Sequence, residues 1–299
     1  MADPHKPPMA CLRRHLNTRS FRMSIDPPSK ASPSFIDSLR VYRKVAAILL
    51  VSALLMPPQW LFMRLTRGRA SFVLPRLWFH FMRWTMGLHI ELVGKPREGG
   101  GTLFVGNHVS HYDIVLLGSL LRARFIAKDD MESWPGVRFI GGLGQTVFIS
   151  RRRQDTASVA AAIAAQMRPD HDLVLFAEGT TSSGEQVAPF KSSLLAPFLG
   201  PQAAEQAWQL QPFTIEIVCV DGRALSAGGD RDIYAFHNDM EAGAHVSRFL
   251  RLSGALVRIT FHPPIAIPPG TDRKALAVQV HDIVASGLLS HENDDGPPR

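Results

Sequence analysis

Nineteen consecutive residues without a charge, 45–63 (VAAILLVSALLMPPQWLFM), constrain this chain more than any other feature. A spanning helix needs about 20 such residues, so the run is long enough to enter a bilayer. Pro57-Pro58 interrupts it, and basic residues flank it on both sides: Arg40, Arg43 and Lys44 before, Arg64, Arg67 and Arg69 after. Basic ends on both sides give no inside–outside orientation. A bent or re-entrant helix pair, entering and leaving on one face, accounts for both facts. A buried core helix is the plainer alternative, but its ends would not need to match lipid headgroups. Residues 74–88 (LPRLWFHFMRWTMGL) add Trp, Phe and Met with Arg76 and Arg83 interspersed, and Leu77, Phe81, Trp84 and Leu88 recur at helical spacing. That face suits a core or an interface, and Trp beside Arg favours the interface.

Charge follows the same division. Residues 1–72 carry 12 Lys+Arg and 3 Asp+Glu, although the whole chain has a net charge of only +7. A nucleic-acid domain would carry its basic residues on the folded part. Here they surround an apolar segment, which points to anionic lipid and excludes nucleic acid as a partner. Residues 1–35, with six prolines and little apolar periodicity, read as a disordered basic tail, and residues 36–73 as a membrane-embedding helical segment. A mean hydropathy of +0.01 is too low for a polytopic membrane protein. Two cysteines, Cys11 and Cys219, exclude a disulfide framework and a four-thiolate zinc site, and are expected to be free thiols.

From residue 88 onward short β-rich runs alternate with helical stretches. Strands are predicted at 89–93, 102–105, 124–127, 146–149, 173–176, 213–220 and 257–261. Helices are predicted at 114–121, 156–167, 192–199 and 273–288. The alternation specifies an α/β fold with a mostly parallel sheet flanked by helices. Residues 291–299 (HENDDGPPR) read as a flexible tail.

Two strand-to-loop segments carry candidate chemistry. Gly106-Asn107-His108-Val109-Ser110-His111-Tyr112-Asp113 follows a predicted strand and opens a helix, which is where α/β folds build sites. His108 and Asp113 are spaced so that the carboxylate can fold back on the imidazole, fix its tautomer and stabilise the imidazolium. A structural hydrogen bond in a turn is the ordinary alternative. Val174-Leu175-Phe176-Ala177-Glu178-Gly179-Thr180-Thr181-Ser182 leaves a second strand in the same way, with Glu178 placed to orient a substrate hydroxyl and Gly179 allowing close backbone approach. Lys191 brings a cation to the same loop. An ordinary turn with a solvated Glu is the alternative there.

Together these segments resemble the lysophospholipid acyltransferase family: Asn-His-x-x-x-x-Asp after one strand, then Phe-x-Glu-Gly-Thr after another. Gly144-Gln145-Thr146-Val147-Phe148-Ile149-Ser150-Arg151 is similar to that family's second motif, and Gln211-Pro212-Phe213-Thr214-Ile215 to its fourth. The resemblance implies a glycerolipid acyltransferase fold over an acyltransferase domain at 74–290. It implies a membrane-bound O-acyltransferase, on the cytoplasmic face, that uses acyl-ACP or acyl-CoA as co-substrate with no bound cofactor and a lysolipid as acceptor. His108 would deprotonate the acceptor hydroxyl and Asp113 would hold His108. Asn107, Ser110, Glu178, Gly179, Thr180, Thr181 and Lys191 would line the substrate site, with Arg151 gripping a phosphate. Ala177 stands where Pro is common, Ser150 where Asp is frequent, and Thr181 where many members carry an Arg associated with the acceptor phosphate. The Glu-Gly-Thr-Thr-Ser form, with Asp239-Met240 and Phe261-His262-Pro263-Pro264, is similar to the lyso-ornithine-lipid branch, beside the 1-acyl-glycerol-3-phosphate acceptor of other members.

Three rivals remain at this level. A serine hydrolase would use Ser110 beside His108, but the chain has no G-x-S-x-G elbow. A zinc enzyme would need ligands converging on one point, and the twelve histidines are dispersed. A peripheral membrane protein that binds lysolipid without turnover would have no need of a general base.

Overall fold

The computed structural model describes residues 35–292 apart from 67, 129–140, 142–143, 150–162, 169, 201–204, 206, 226–228 and 269. The predicted tail, except Phe35, which begins the first helix, and most of the helix predicted at 156–167 lie outside the described residues.

Short apolar runs become strands because both faces of the sheet are covered. Seven of them lie in the order β1-β8-β6-β2-β5-β3-β4: β1 (Leu88–Val93), β2 (Thr102–Gly106), β3 (Ala123–Lys128), β4 (Val147–Ile149), β5 (Asp172–Phe176), β6 (Gln209–Val220) and β8 (Ala255–Phe261). The pairs β2·β5, β2·β6, β3·β5, β3·β4 and β1·β8 are parallel, and β6·β8 is antiparallel. Two short strands, β7 (Arg223–Ala224) and β9 (Ile265–Ala266), also pair antiparallel with β6. Alternate residues of β2 and β5 serve different cores. Phe104, Val174 and Phe176 enter one apolar cluster, while Leu103, Val105, Leu173 and Leu175 enter the other. Parallel strands buried on both faces are apolar throughout, which is the pattern in the sequence.

The described α-helices are α1 (Phe35–Leu65), α2 (Val73–Met86), α3 (Tyr112–Leu120), α4 (Ser192–Leu195), α5 (Ala242–Leu250) and α6 (Arg273–Glu292). α2, α3 and α5 cover the first core with Phe79, Leu116, Leu117 and Phe249. α4 and α6 cover the second with Leu195, Leu276, Val280 and Val284. α5 was not foreseen from the sequence, and the predicted helix at 192–199 is α4 followed by a 3-10 turn, Ala196–Leu199.

α1 corrects one expectation. Pro57 and Pro58 lie inside a single continuous helix instead of dividing it into a pair. Each proline deletes a backbone donor, but the turns on either side are fastened to the domain: Trp78 Nε1 donates to Ser52 Oγ (2.9 Å) and Gln59 Nε2 to the Ser71 carbonyl (3.1 Å). Its N-terminal half is tied by Arg40 and Lys44, which donate to the carbonyls of Arg251 and Leu252 just beyond α5. At 1.5 Å per residue the helix is about 46 Å long, enough to cross a bilayer core by length alone. On α2 the face at Pro75, Phe79 and Met86 is buried while Leu77 and Trp84 are exposed; Leu88, expected on the same face, is buried and begins β1.

Cys219 on β6 is disulfide-bonded, so the expectation of free thiols fails there. A count of two excludes a framework but permits one bridge.

Candidate active site

Register places the two signature loops side by side. Gly106 pairs with Phe176, so β2 and β5 end at the same level and both chains leave at one edge of the sheet. Gly106 is required by close packing, since a β-carbon there would collide with the ring and carbonyl of Phe213 on β6.

His108 Nδ1 lies 2.8 Å from Asp113 Oδ2, joining the first turn of α3 to the loop before it. The same oxygen accepts the backbone N–H of Val109 (2.7 Å) and Ser110 (2.9 Å). Asp113 Oδ1 accepts the Tyr234 hydroxyl at 2.8 Å. Asp113 is wholly buried, and a buried carboxylate is tolerable only when hydrogen-bonded in this way. The imidazole lies flat on the Phe176 ring, with centroids 3.8 Å apart and planes 9° from parallel. Among the described residues none bonds Nε2, and the side chain retains 16% exposure. The ring is therefore fixed on one side and reachable on the other, as a general base must be.

Glu178 clamps the two loops together. Its Oε1 accepts the His108 N–H (2.7 Å) and its Oε2 the Ala188 N–H (3.1 Å). Burial pushes its carboxyl above the usual range, and these two N–H groups oppose the shift. From the loop after β5, Ser182 donates its N–H to the His108 carbonyl at 2.9 Å.

The other candidate residues divide by location. Thr180 is exposed and Thr181 half-buried, directly before Ser182. Gly179 has φ +72°, and a β-carbon there would lie 2.8 Å from Lys191 Nζ, so Lys191 does cover this loop. Asn107 is engaged elsewhere: its amide donates to the Ile215 carbonyl (2.8 Å) and accepts the Ile215 N–H (2.7 Å), extending the ladder past the end of β2. The structure gives it a scaffold position, because both of its polar groups are taken by backbone. Glu178 accepts one backbone N–H on each oxygen, and each oxygen has a further lone pair to offer. Ser110 is fully buried and its Oγ has no hydrogen-bond partner among the described residues, so no Ser–His pair forms and the hydrolase arrangement is missing. Arg151 lies outside the described residues.

Sequence reasoning missed the third wall of the site, the segment from the 3-10 turn Arg231–Ile233 to Phe236. The Phe236 N–H donates to the Val109 carbonyl (2.9 Å), and Arg231 donates to the Gly184 carbonyl (3.1 Å). No local spacing signals these contacts, since Tyr234 lies 121 residues from Asp113.

Residues 89–200 match the protein-family model described as Acyltransferase. A lyso-ornithine lipid O-acyltransferase of Brucella abortus is 35% identical over 86% of this chain and 98% of its own length. The chain belongs to the lysophospholipid acyltransferase family. It is an acyltransferase, and relatives of two acceptor classes surround it. A lyso-ornithine lipid O-acyltransferase of Pseudomonas aeruginosa is 30% identical over 72% of this chain and 78% of its own. A 1-acyl-sn-glycerol-3-phosphate acyltransferase of Neisseria meningitidis is 27% identical over 64% and 72%. The fold is that of the 1-acyl-sn-glycerophosphate (LPA) acyltransferase PlsC from Thermotoga maritima, with a TM-score of 0.60 at 16% identity over 88% of this chain and 97% of that one. The α/β acyltransferase fold expected from the sequence is thereby found.

Proposed function

We propose that this acyltransferase moves a fatty acyl group from a thioester of acyl carrier protein or CoA to the free hydroxyl of lyso-ornithine lipid, at the cytoplasmic face of a membrane. The observation that carries the chemistry is the His108–Asp113 pair, with Nδ1 bound to a fully hydrogen-bonded carboxylate and Nε2 open. Nε2 takes the acceptor's hydroxyl proton as its oxygen attacks the thioester carbonyl, and Asp113 stabilises the imidazolium that forms. Collapse breaks the C–S bond, and the proton passes from His108 to the departing sulfur. No acyl-enzyme and no cofactor enter this sequence.

The loop Gly179–Lys191 supplies the acceptor side, with Thr180, Thr181 and Lys191 nearest the headgroup. Arg151 is assigned to a phosphate of donor or acceptor, by resemblance alone. Thr181 is neutral where, by the family resemblance, an Arg is common, which removes a charge-assisted contact worth about 1.5–3 kcal/mol to a phosphate. That loss, with the names of the relatives, supports an acceptor whose headgroup is an amino acid. α1 and the Leu77–Trp84 face of α2 hold the site at the bilayer, where burying each acyl CH₂ contributes about 0.8 kcal/mol.

The test offers purified protein both acceptors, lyso-ornithine lipid and 1-acylglycerol 3-phosphate, with each donor in turn. Lyso-ornithine lipid is expected to have the higher kcat/KM, and Thr181→Arg to shift the ratio toward the phosphate about tenfold. A wild-type preference for 1-acylglycerol 3-phosphate, with a ratio unmoved by Thr181→Arg, contradicts the acceptor assignment.

A further inference from the structure

We infer that Tyr234 is a positioning residue of the acyl transfer, acting through Asp113 to set the basicity of His108; this rests on the general-base reading above. Asp113 Oδ2 is shared by three donors, the His108 ring and two backbone N–H groups, whereas Oδ1 has the Tyr234 hydroxyl alone among the described residues. The phenol therefore decides how much of the carboxylate's charge is turned on the imidazole.

The phenol is held as a fixed donor would be. Tyr234 is completely buried, packed between Tyr112 (centroids 5.5 Å) and Phe249 (6.3 Å). Its backbone is anchored on both sides. The Asp230 side chain accepts the Asp232 N–H and meets Arg248, and the Phe236 N–H reaches the loop that carries His108. Burial, and then the neighbouring carboxylate, push the hydroxyl far above the normal phenol range, so it remains a donor at every working pH. Among the described residues the titratable groups that meet His108 are Asp113 on α3, Glu178 from the loop after β5, and His111, beside His245 at the start of α3; Lys191 lies against Gly179 on the Glu178 loop.

Removing the hydroxyl leaves Oδ1 bare and turns more negative charge on His108, which favours the imidazolium. Tyr234→Phe is expected to lower kcat about tenfold, to leave both KM values unchanged, and to move the acid limb of the pH–rate profile upward. In an Asp113→Asn background the same change should have no further effect. Replacing tyrosine throughout with 3-fluorotyrosine is the second arm. It keeps the shape, strengthens the phenol as a donor and touches only Tyr42, Tyr112 and Tyr234. It should move the acid limb downward in wild type but not in Tyr234→Phe. An acid limb unmoved in both arms, with or without a fall in rate, overturns the inference and leaves Tyr234 a packing residue. If His108→Ala or Asp113→Asn retains full activity, the general-base reading itself fails. If both abolish transfer while Tyr234→Phe is silent, only the inference fails.

Discussion

At the end of β2 a carboxylate, Asp113, is completely buried, whereas along α1 Leu49, Leu50 and Leu54 are each more than 60% exposed. Each is costly for a protein in water, and each has a different remedy. Asp113 is satisfied inside the fold by four donors from two segments of chain, the 108–110 loop and Tyr234. Among the described residues nothing covers the leucines, although the same helix is fastened to the domain through Ser52, Gln59, Arg40 and Lys44. Under the proposed function, the first region serves the chemistry and the second meets lipid instead of water. Their juxtaposition in one chain is what a lysolipid acyltransferase requires.

Two variants separate the two regions. Asp113→Asn removes the charge behind His108 and should lower kcat by about 10²–10⁴-fold, with vesicle binding unchanged; equal losses of turnover and binding would erase the distinction. Leu50→Lys with Leu54→Lys should weaken flotation with anionic vesicles by about tenfold or more, since each leucine forfeits about 1.5–3 kcal/mol of burial. Thermal stability in detergent and turnover of a monomeric short-chain acceptor should be unaffected, because neither side chain is in the core.

The smallest effect tests the inner region alone. His111 is enclosed by Tyr112, Phe236 and His245, and burial, followed by the nearby His245 and His108, lowers its pKa to about 3. Below the ordinary value of 6.5 the unfolded chain therefore binds a proton that the folded chain refuses. Stability is full above that value and falls as pH drops from about 6.5 toward 3, by about 1.4 kcal/mol per pH unit. His111→Phe should flatten this slope in denaturant titrations between pH 6 and 4. An identical slope in the variant would mean that the imidazole protonates in place.

How much of this was legible in the sequence depends on distance along the chain. The strands read correctly because their side chains alternate between two cores. β6 is longer than predicted because Pro212 lies where its neighbour changes from β9, paired at Leu210, to β8, paired from Phe213, so the missing N–H breaks no ladder. α5 escaped notice because its N-terminus is capped by Glu241, which accepts from Gly243 and Ala244, and not by the usual Ser, Thr, Asp or Asn. His108 and Asp113 were readable from a spacing of five. Tyr234 and the stacking of Phe176 on His108 were not, because only the folded sheet brings them to the site.

The central claim is that His108 Nε2 is the base for acyl transfer. Its most direct test is transfer of a labelled acyl group from acyl-ACP or acyl-CoA to lyso-ornithine lipid by purified wild type and His108→Ala, with lysolipid binding measured on the same samples. Transfer by the wild type, a loss of at least about 10²-fold in the variant and unchanged binding are the predicted result. Full transfer by His108→Ala would contradict it.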